Sequence, residues 1–324
     1  MIDVHVDTRW DGAHGIARYA REVVGRLDLP WRALPFDGSP SSPRDALRDV
    51  PAAARAGLVY SPGYNAFLRA PRQVLTLHDL IHLRVAWPGR AKYLAYYELV
   101  VRPVVRRAGV VITVSETSRH AVAEWLRDDR VEIVNAGIGC SAAFRPDVPP
   151  AASAHPYLMY VGNLRTHKNV PVVLAALRRV PDARLRMLIP RAEHEDARRL
   201  AESAGVASRV TLLAGLDDRE LAGQYRGAAA TLMPSTLEGF GLPALESIMT
   251  GTPVAYWAGC AAVAETARGR GMAVGEAHDE GEWAHAIEAL LAGPRRVEPP
   301  SGYDWEATAA TVTATLRALA GGIG

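Results

Sequence analysis

Short apolar runs alternate with longer amphipathic stretches along the chain, and the alternation is most regular after residue 156. Six of these runs have the length and composition of strands: 157–161, 184–189, 210–213, 229–234, 253–257 and 272–274. Apolar residues at helical spacing predict helices near 170–180, 193–204, 218–227, 243–251, 261–268 and 280–291. Strand and helix in regular alternation indicate a parallel, doubly wound α/β sheet.

Capping signals support these boundaries. Asn169 precedes a helix that carries Pro171 in its first turn, and Asp217-x-x-Glu220 has the spacing of a capping box. Gly205 and a second glycine, Gly251, stand where helices of this half should end.

The first half repeats the pattern less regularly. Strands are predicted at 2–6, 58–61, 73–77, 110–114 and 131–134, and helices near 15–27, 90–107 and 116–126. The polar, proline-containing stretch 39–51 predicts a loop, and the four prolines within 145–156 predict a linker. We therefore expect two Rossmann-like domains, 1–148 and 149–305, with a hinge and a ligand cleft between them.

Composition narrows the functional classes. A length of 324 residues suits two domains, and 49% hydrophobic with 22% charged residues is typical of globular proteins. The net charge of +2 gives no support to a general nucleic-acid binder. Cys140 and Cys260 are too far apart in sequence for a Cys-x-x-Cys site. No signal peptide or membrane-spanning run is visible, so a cytoplasmic location is the expectation.

Lysine is rare in this chain. Of the 37 basic residues other than histidine only Lys92 and Lys168 are lysines, which leaves 37 − 2 = 35 arginines. A GC-rich genome explains the bias, but it makes the position of each lysine informative.

The segment 234–246 is the densest in candidate chemistry. Gly239 and Gly241 follow a predicted strand, and Pro243 opens the next helix at a position where its missing N–H is not needed. Such a turn leaves backbone amides for an anion or a sugar hydroxyl. Glu238 lies in the loop, and Glu246 is expected in the first turn of the helix, where the helix dipole alone would also favour it.

The sequence Glu-Gly-Phe-Gly-Leu-Pro-x-x-Glu from Glu238 to Glu246 resembles the retaining nucleotide-sugar glycosyltransferases of the GT-B fold. This family, the glycosyl transferases group 1, includes many bacterial mannosyltransferases. The resemblance covers nearly the whole chain. Its other motifs are 15–19, Leu77-His78-Asp79-Leu80, 114–118, 160–163, 167–169, Gly215 with Asp217-Asp218, Glu265 and 303–306. The last of these resembles the closing segment of the family, and the resemblance implies that the final helix, 306–324, returns to the first domain.

The resemblance implies roles for residues of the second domain. Glu238, which is also assigned to catalysis, would hold the donor sugar together with the following amides of Gly239, Phe240, Gly241 and Leu242, and Glu246 would bind the ribose. Gly162, Arg165 and Lys168 would hold the diphosphate, and a lysine at a helix N-terminus is a good anion site. Asn163 stands where many relatives have Arg or Thr, which leaves part of that task to another cation.

In the first domain, the resemblance assigns His78 to catalysis, in contact with the donor sugar near the reacting carbon. Gly15 would let the backbone approach the donor diphosphate. Arg18 and Asp79 are candidates for acceptor or phosphate contacts, with Asp79 orienting its loop.

The implied reaction is transfer of a hexose from a nucleoside-diphosphate sugar, GDP-mannose or a UDP-sugar, to a glycan, lipid-linked or small-molecule acceptor. Retention would follow from front-face attack assisted by the leaving phosphate. No Asp-x-Asp motif follows a predicted strand, so we expect neither a metal site nor a cofactor besides the donor substrate. An epimerase of the same fold or a catalytically silent sugar-binding subunit would share the nucleotide contacts. An oxidoreductase is disfavoured, because no Gly-x-Gly-x-x-Gly follows the first strand of either domain.

A basic and aromatic stretch bears on partners. Residues 84–107 contain one Trp, three Tyr and six basic residues against the single acid Glu98. Such a segment could meet the inner face of an anionic membrane, whereas packing in a partly exposed helix is the simpler explanation. No nucleic-acid partner is expected.

Overall fold

The computed structural model describes residues 3–12, 14–293 and 296–321. The chain divides into two compact units, Met1–Gly139 with Gly302–Gly324, and Cys140–Ser301. Each unit has its own parallel sheets and its own helices, as the alternating pattern predicts. The mixed α/β class is thereby confirmed.

The first unit contains two parallel sheets. Its strands are β1 (Val4–Val6), β2 (Trp31–Ala33), β3 (Leu58–Ser61), β4 (Gln73–Leu75), β5 (Val110–Thr113) and β6 (Glu132–Asn135). They form a sheet of order β2-β1-β3-β4 and a pair β5-β6, and a single bridge between Thr76 and Ile112 links the two. The helices up to residue 126 are α1 (Gly15–Val24), α2 (Ala52–Ala56), α3 (Ile81–Arg84), α4 (Arg90–Tyr96), α5 (Arg102–Ala108) and α6 (Glu116–Leu126).

Five elements of this unit correct the sequence prediction. Strand β2 and the short helices α2 and α3 were not foreseen, and a 3-10 turn, Pro43–Leu47, interrupts the expected loop. The helix expected over 90–107 is broken by a π turn, Tyr97–Val101. Pro103 follows two residues after the end of this turn, and because proline has no N–H to donate, the regular hydrogen-bond ladder cannot continue through it.

The second unit is a six-stranded parallel sheet. Its strands are β7 (Leu158–Val161), β8 (Leu185–Leu188), β9 (Val210–Leu213), β10 (Ala230–Met233), β11 (Val254–Trp257) and β12 (Gly271–Val274). Its helices are α7 (Val170–Arg179), α8 (His194–Ser203), α9 (Asp218–Gly227), α10 (Leu242–Met249), α11 (Ala261–Ala267) and α12 (Glu280–Ala292). All six predicted strands and all six predicted helices are present here. Asp217 and Glu220 form the predicted capping box, and Gly205 and Gly251 have the left-handed backbone expected of helix ends.

The strand order β12-β11-β10-β7-β8-β9 is that of a Rossmann fold, with its two halves starting from β7 and β10. The direction of winding reverses between these two neighbours. Ligands of such sheets bind beyond the carboxyl ends of the strands at this reversal. We therefore expect a ligand site at the loops after β7 and β10.

The last helix, α13 (Trp305–Gly321), packs against α1 of the first unit. Arg26 forms an ion pair of 2.9 Å with Glu306, and the backbone N–H of Asp28 donates to Thr313. The chain therefore returns to the first unit after completing the second.

The unit boundary lies at Gly139, earlier than the proline content predicts. The side chain of Phe144 is buried in the core of the second unit, and the N–H of Ala151 donates to the carbonyl of Gly223 at 2.8 Å. The proline-rich stretch 145–156 is thus attached to the second unit rather than forming a linker. Prolines restrict the chain to extended conformations, and such a segment can lie along a surface as well as span a gap.

Candidate donor site and the residues of the first unit

The loops after β7 and β10 are tied together at the reversal of the Rossmann sheet. The backbone N–H and the hydroxyl of Thr236 both donate to the carbonyl of His167, at 2.7 and 3.2 Å. These bonds cross directly from one loop to the other. They bring together the residues that follow in each loop, Lys168 after His167 and Glu238 after Thr236.

Lys168 and Glu238 form an ion pair. The Nζ of Lys168 lies 2.6 Å from Oε1 of Glu238, and the two side chains are only 14% and 10% exposed. The ammonium has three N–H donors, so two remain for another acceptor while the carboxylate is bound. Two residues that the sequence assigned to diphosphate and to sugar therefore meet in one place.

Close packing explains Gly162 at the start of the β7 loop. The hydroxyl of Tyr160 donates to the carbonyl of Asn163 at 2.7 Å. A Cβ on Gly162 would lie 2.8 Å from the hydroxyl oxygen of Tyr160. The side-chain oxygen of Asn163 accepts from the N–H of Arg165, whose side chain is exposed. Asn163 thus shapes the turn at the position where many relatives carry an arginine.

Asn169 completes this loop with a left-handed backbone, at φ 50°. Its amide donates to the carbonyl of Ala277 at 2.7 Å, and its side-chain oxygen lies 3.1 Å from Nδ1 of His278. The side chain therefore does not cap α7, although the sequence pattern suits a capping residue. Helix α7 begins two residues after Lys168, so its positive dipole end adds to the charge of the lysine.

The β10 loop ends in a second helix N-terminus. Gly241 has φ 90°, and a Cβ there would lie 3.2 Å from Cγ2 of Val263. No side chain of the described residues caps α10, which begins at Leu242. The carbonyl of Phe240 accepts from the hydroxyl of Thr266 at 2.7 Å, which fixes the turn. The amides of this turn are the expected donors to a sugar or an anion.

Glu246 lies in the second turn of α10, and the expectation that it lies in the first turn is wrong, because the helix begins at Leu242. The side chain is buried, and its Oε2 accepts from the hydroxyl of Tyr225 at 3.1 Å. A buried carboxylate with a hydroxyl donor is held in one orientation.

The negative charge of Glu238 contributes to raising the pKa of two neighbouring side chains. Burial, together with the negative charge of Glu238, raises the pKa of the Cys260 thiol to about 12 and raises that of Tyr160 as well. Cys260 is therefore a protonated thiol at neutral pH and a poor nucleophile. Sequence reasoning missed Tyr160, Thr236 and Cys260. Tyr160 was visible as part of the 160–163 motif, but not as the side chain whose hydroxyl lies against Gly162.

His78 lies in the first unit, at the carboxyl end of the sheet. Its Nε2 donates to the carbonyl of Pro62 at 2.9 Å, its ring meets Tyr19 edge to face at 4.7 Å, and its own carbonyl accepts from Ser118. Burial lowers the pKa of His78 and outweighs the opposing effects of its bond to Pro62 and of the charge of Asp79. The imidazole is therefore neutral at pH 7, with Nδ1 unprotonated.

The other candidates of this unit have distinct positions. The carboxylate of Asp79 accepts from the N–H of Ile81 at 2.9 Å, so it orients the start of α3. Gly15 is the first residue of α1, and Arg18 lies half-buried one turn later on the same helix. These residues and His78 belong to the first unit, whereas Lys168 and Glu238 belong to the second.

The aromatic side chains of 84–107 mainly pack inward. Tyr97 is fully buried, Tyr93 and Tyr96 pack against the same core, and Arg84 and Arg102 form ion pairs with Glu124 and Glu98. Trp87 and Leu99 are the exposed large hydrophobic residues of this stretch. In the described part of the chain, no helix combines the length and the apolarity that crossing a bilayer requires.

Comparison with known proteins identifies the family. The family described as Glycosyl transferases group 1 matches residues 145–301, which is nearly the whole second unit. A D-inositol 3-phosphate glycosyltransferase of Nocardia farcinica is 32% identical over 327 aligned positions, covering 89% of this chain and 71% of that protein. The chain belongs to the group 1 glycosyltransferases.

Other group 1 relatives match a smaller part. D-inositol 3-phosphate glycosyltransferase 2 of Catenulispora acidiphila is 31% identical over 212 residues, which is 56% of this chain and 49% of that protein. The chain thus spans about half the length of this curated relative.

Solved structures place this glycosyltransferase chain in the GT-B fold. Sucrose-phosphate synthase of Thermosynechococcus elongatus has a TM-score of 0.68 at 18% identity, covering 99% of this chain and 95% of that one. The lipopolysaccharide glycosyltransferase WaaG has a TM-score of 0.64 at 15% identity, with 99% and 98% covered. These structures confirm the expected fold class. The expected family and transferase class are confirmed by the family match and the Nocardia farcinica relative.

Proposed function

We propose that this group 1 glycosyltransferase moves a hexose from a nucleoside-diphosphate sugar to a hydroxylated acceptor with retention of configuration. The observation that carries the donor assignment is the ion pair between Lys168 and Glu238 at the reversal of the Rossmann sheet. A cation at a helix N-terminus suits the diphosphate, and a carboxylate beside it suits the hydroxyls of a sugar.

Lys168 binds the diphosphate with the two ammonium protons that Glu238 leaves over, and the first turn of α7 adds its dipole. Glu238 and the amides at the start of α10 hold the hexose. Glu246, fixed by Tyr225, accepts from the ribose hydroxyls. Arg165 is exposed and can turn toward the phosphates, which compensates for Asn163.

In the reaction the bond between the anomeric carbon and the phosphate oxygen breaks, and the acceptor oxygen bonds to the same face of the sugar. The acceptor proton passes to the leaving phosphate. Lys168 and the helix amides stabilise the charge that develops on the diphosphate. His78, neutral and unprotonated at Nδ1, is the group of the first unit that we assign to positioning the sugar.

A thermal-shift panel of GDP, UDP, ADP and dTDP tests the donor site, each measured with Mg²⁺ and with EDTA. A nucleotide present at 100 times its Kd stabilises the folded state by about 2.7 kcal/mol. We expect one base to give the largest rise in Tm, with the same rise in EDTA. Absence of a shift with all four nucleotides would remove the basis of the proposal.

Turnover then separates the transferase from its alternatives. The preferred GDP-sugar or UDP-sugar is incubated with glycan, lipid-linked and small-molecule acceptors, including the D-inositol 3-phosphate named for the relatives, and the product is analysed by NMR. An axial or equatorial anomeric linkage that matches the donor indicates retention. Binding without turnover would indicate a silent sugar-binding subunit, and an altered sugar without an acceptor would indicate an epimerase.

A further inference from the structure

The first unit contains a cavity that none of the roles above uses. It has a volume of about 270 Å³ and lies between the loop after β1 and the loop after β2. The polar and aromatic side chains that line it are those of Arg9, Trp10, Asp11, His14, Ser39 and Ser41. Because β1 and β2 are parallel neighbours, both loops leave the same carboxyl edge of the sheet, where ligands of α/β proteins bind.

The one fixed positive charge of this lining, on Arg9, is already neutralised. The guanidinium donates from Nε and NH2 to the two oxygens of Asp7, at 2.9 and 2.6 Å, and pairs through NH1 and NH2 with Asp45. Both carboxylates are fully buried, and the arginine side chain is 6% exposed. An arginine held by two buried carboxylates has no charge left for a ligand phosphate.

His14 does not supply a cation either. Its Nδ1 accepts a hydrogen bond from the N–H of Ala17 as the cap of α1, at 3.2 Å, so this nitrogen is unprotonated. Burial lowers the pKa of His14, which keeps the ring neutral at pH 7. Protonation at Nδ1 would break the helix cap.

The remaining groups are suited to hydroxyls. The carboxylate of Asp11 is exposed and accepts from the N–H of Gly12 at 2.7 Å, which leaves its other oxygen for a ligand. The hydroxyls of Ser39 and Ser41 lie 2.8 Å apart and can both donate and accept. Trp10, fixed by a bond of 2.6 Å from its indole N–H to Asn65, forms a rigid apolar wall. A carboxylate, hydroxyls and an indole together form the lining that a sugar ring requires.

We propose that this cavity binds an uncharged polyhydroxylated ring, a sugar or a cyclitol without phosphate, as the acceptor of the transfer. This rests on the proposed function, and it assigns the acceptor's charge. A phosphate on the ring would meet the carboxylate of Asp11, and the lining has no uncompensated cation, since Arg9 is paired with Asp7 and Asp45. An unpaired charge of this kind weakens binding strongly.

Two matched pairs of probes test the charge preference in the full chain: myo-inositol against myo-inositol 1-phosphate, and glucose against glucose 6-phosphate. Binding is measured by calorimetric titration in the presence of the nucleoside diphosphate chosen by the thermal-shift panel. We expect each neutral ring to bind at least about tenfold more tightly than its phosphate. Tighter binding of both phosphates would overturn the proposal.

Three variants tie the preference to the cavity. Asp11→Ala is expected to weaken binding of the neutral ring by about tenfold, which corresponds to one charge-assisted hydrogen bond. Asp11→Lys should bring the phosphate's affinity up to or above that of the neutral ring. Asp37→Ala, a change at an exposed aspartate on the loop after β2 but outside the lining, should alter the affinity for neither ring.

The outcomes separate this inference from the function on which it rests. If the nucleotide gives no thermal shift, the proposed function fails first. If the nucleotide binds but Asp11→Ala and Asp37→Ala behave alike, the cavity is not the acceptor site. Both Asp11 variants must melt within the range of the Asp37 control, which the exposure of Asp11 leads us to expect.

Discussion

Lys168 illustrates what a single residue can contribute. It is one of two lysines in the chain, and it lies 2.6 Å from Glu238 beside the N-terminus of α7. The family resemblance assigned it to the diphosphate, and its rarity and the following helix supported that prediction. The contact with Glu238, 70 residues away, depends on the pairing of β7 with β10 and could not be derived from local pattern.

Lys168→Met should weaken binding of the nucleoside diphosphate by roughly 10- to 100-fold, because about 1.5–3 kcal/mol of charge-assisted hydrogen bonding is lost. Binding of the corresponding nucleoside should change little, since it has no phosphate. Calorimetric titration of both ligands measures the difference. Lys92→Met, on exposed α4, is the matched control. Equal losses for nucleotide and nucleoside would mean that Lys168 does not contact phosphate.

His5 should make the stability of the first unit depend on pH. It is buried in β1, its Nε2 has no hydrogen-bond partner among the described residues, and burial lowers its pKa below 6.5 despite the opposing effect of Asp3. Below pH 6.5 the unfolded chain therefore binds a proton that the folded chain does not. The free energy of unfolding falls as the pH falls through this window.

The variant His5→Val should lose less stability than the wild type between pH 7.5 and 5.5. Melting curves at both pH values measure this, and His155→Val, at an exposed histidine of the second unit, is the control. An identical fall in Tm for wild type and His5→Val would contradict the assignment.

Secondary-structure elements were predicted best where local signals agree. In the second unit, apolar periodicity, the Asp217–Glu220 capping box and the glycine C-caps all indicate the same boundaries. In the first unit β2 has only three residues, and none of them is fully buried. Its pattern of apolar residues is therefore too short to predict a strand. The π turn at Tyr97–Val101 arises from Pro103 within an otherwise helical pattern, and a proline indicates a break without giving its form.

Gly241→Ala tests the turn that begins α10. A left-handed backbone costs an alanine about 1–2 kcal/mol, and the added Cβ would press on Val263. We expect lower stability in urea and weaker nucleotide binding. Gly205→Ala, at φ 71° with nothing within 4 Å of the added atom, carries the backbone cost alone. If both variants bind the nucleotide equally, the α10 turn does not contact the donor.

Along the sequence, the second unit is one continuous segment that interrupts the first unit. Residues 140–301 form the second unit, and the chain then returns so that α13 can pack on α1. Leu316 and Val312 of α13 are fully buried, and Trp305 meets Tyr19 at 6.1 Å between ring centroids. The first unit's core therefore depends on residues from both ends of the chain.

Leu316→Ala should destabilise the first unit by about 2–5 kcal/mol through the cavity that it leaves. Differential scanning calorimetry should show the transition of the first unit move to lower temperature, while the nucleotide-stabilised transition of the second unit stays in place. Leu319→Ala, at a half-buried position of the same helix, should have a smaller effect. Equal shifts of both transitions would mean that the two units unfold together.

The sequence by itself determined the alternation of strands and helices, the two-unit organisation, the family and most of the candidate side chains, because periodicity, caps and motifs are local. Only the tertiary structure decided the strand order, the contact of Lys168 with Glu238, the second-turn position of Glu246 and the cavity beside Asp11. These features join residues far apart in the chain, and the neutralisation of Arg9 by two buried carboxylates is visible only when all three are packed together.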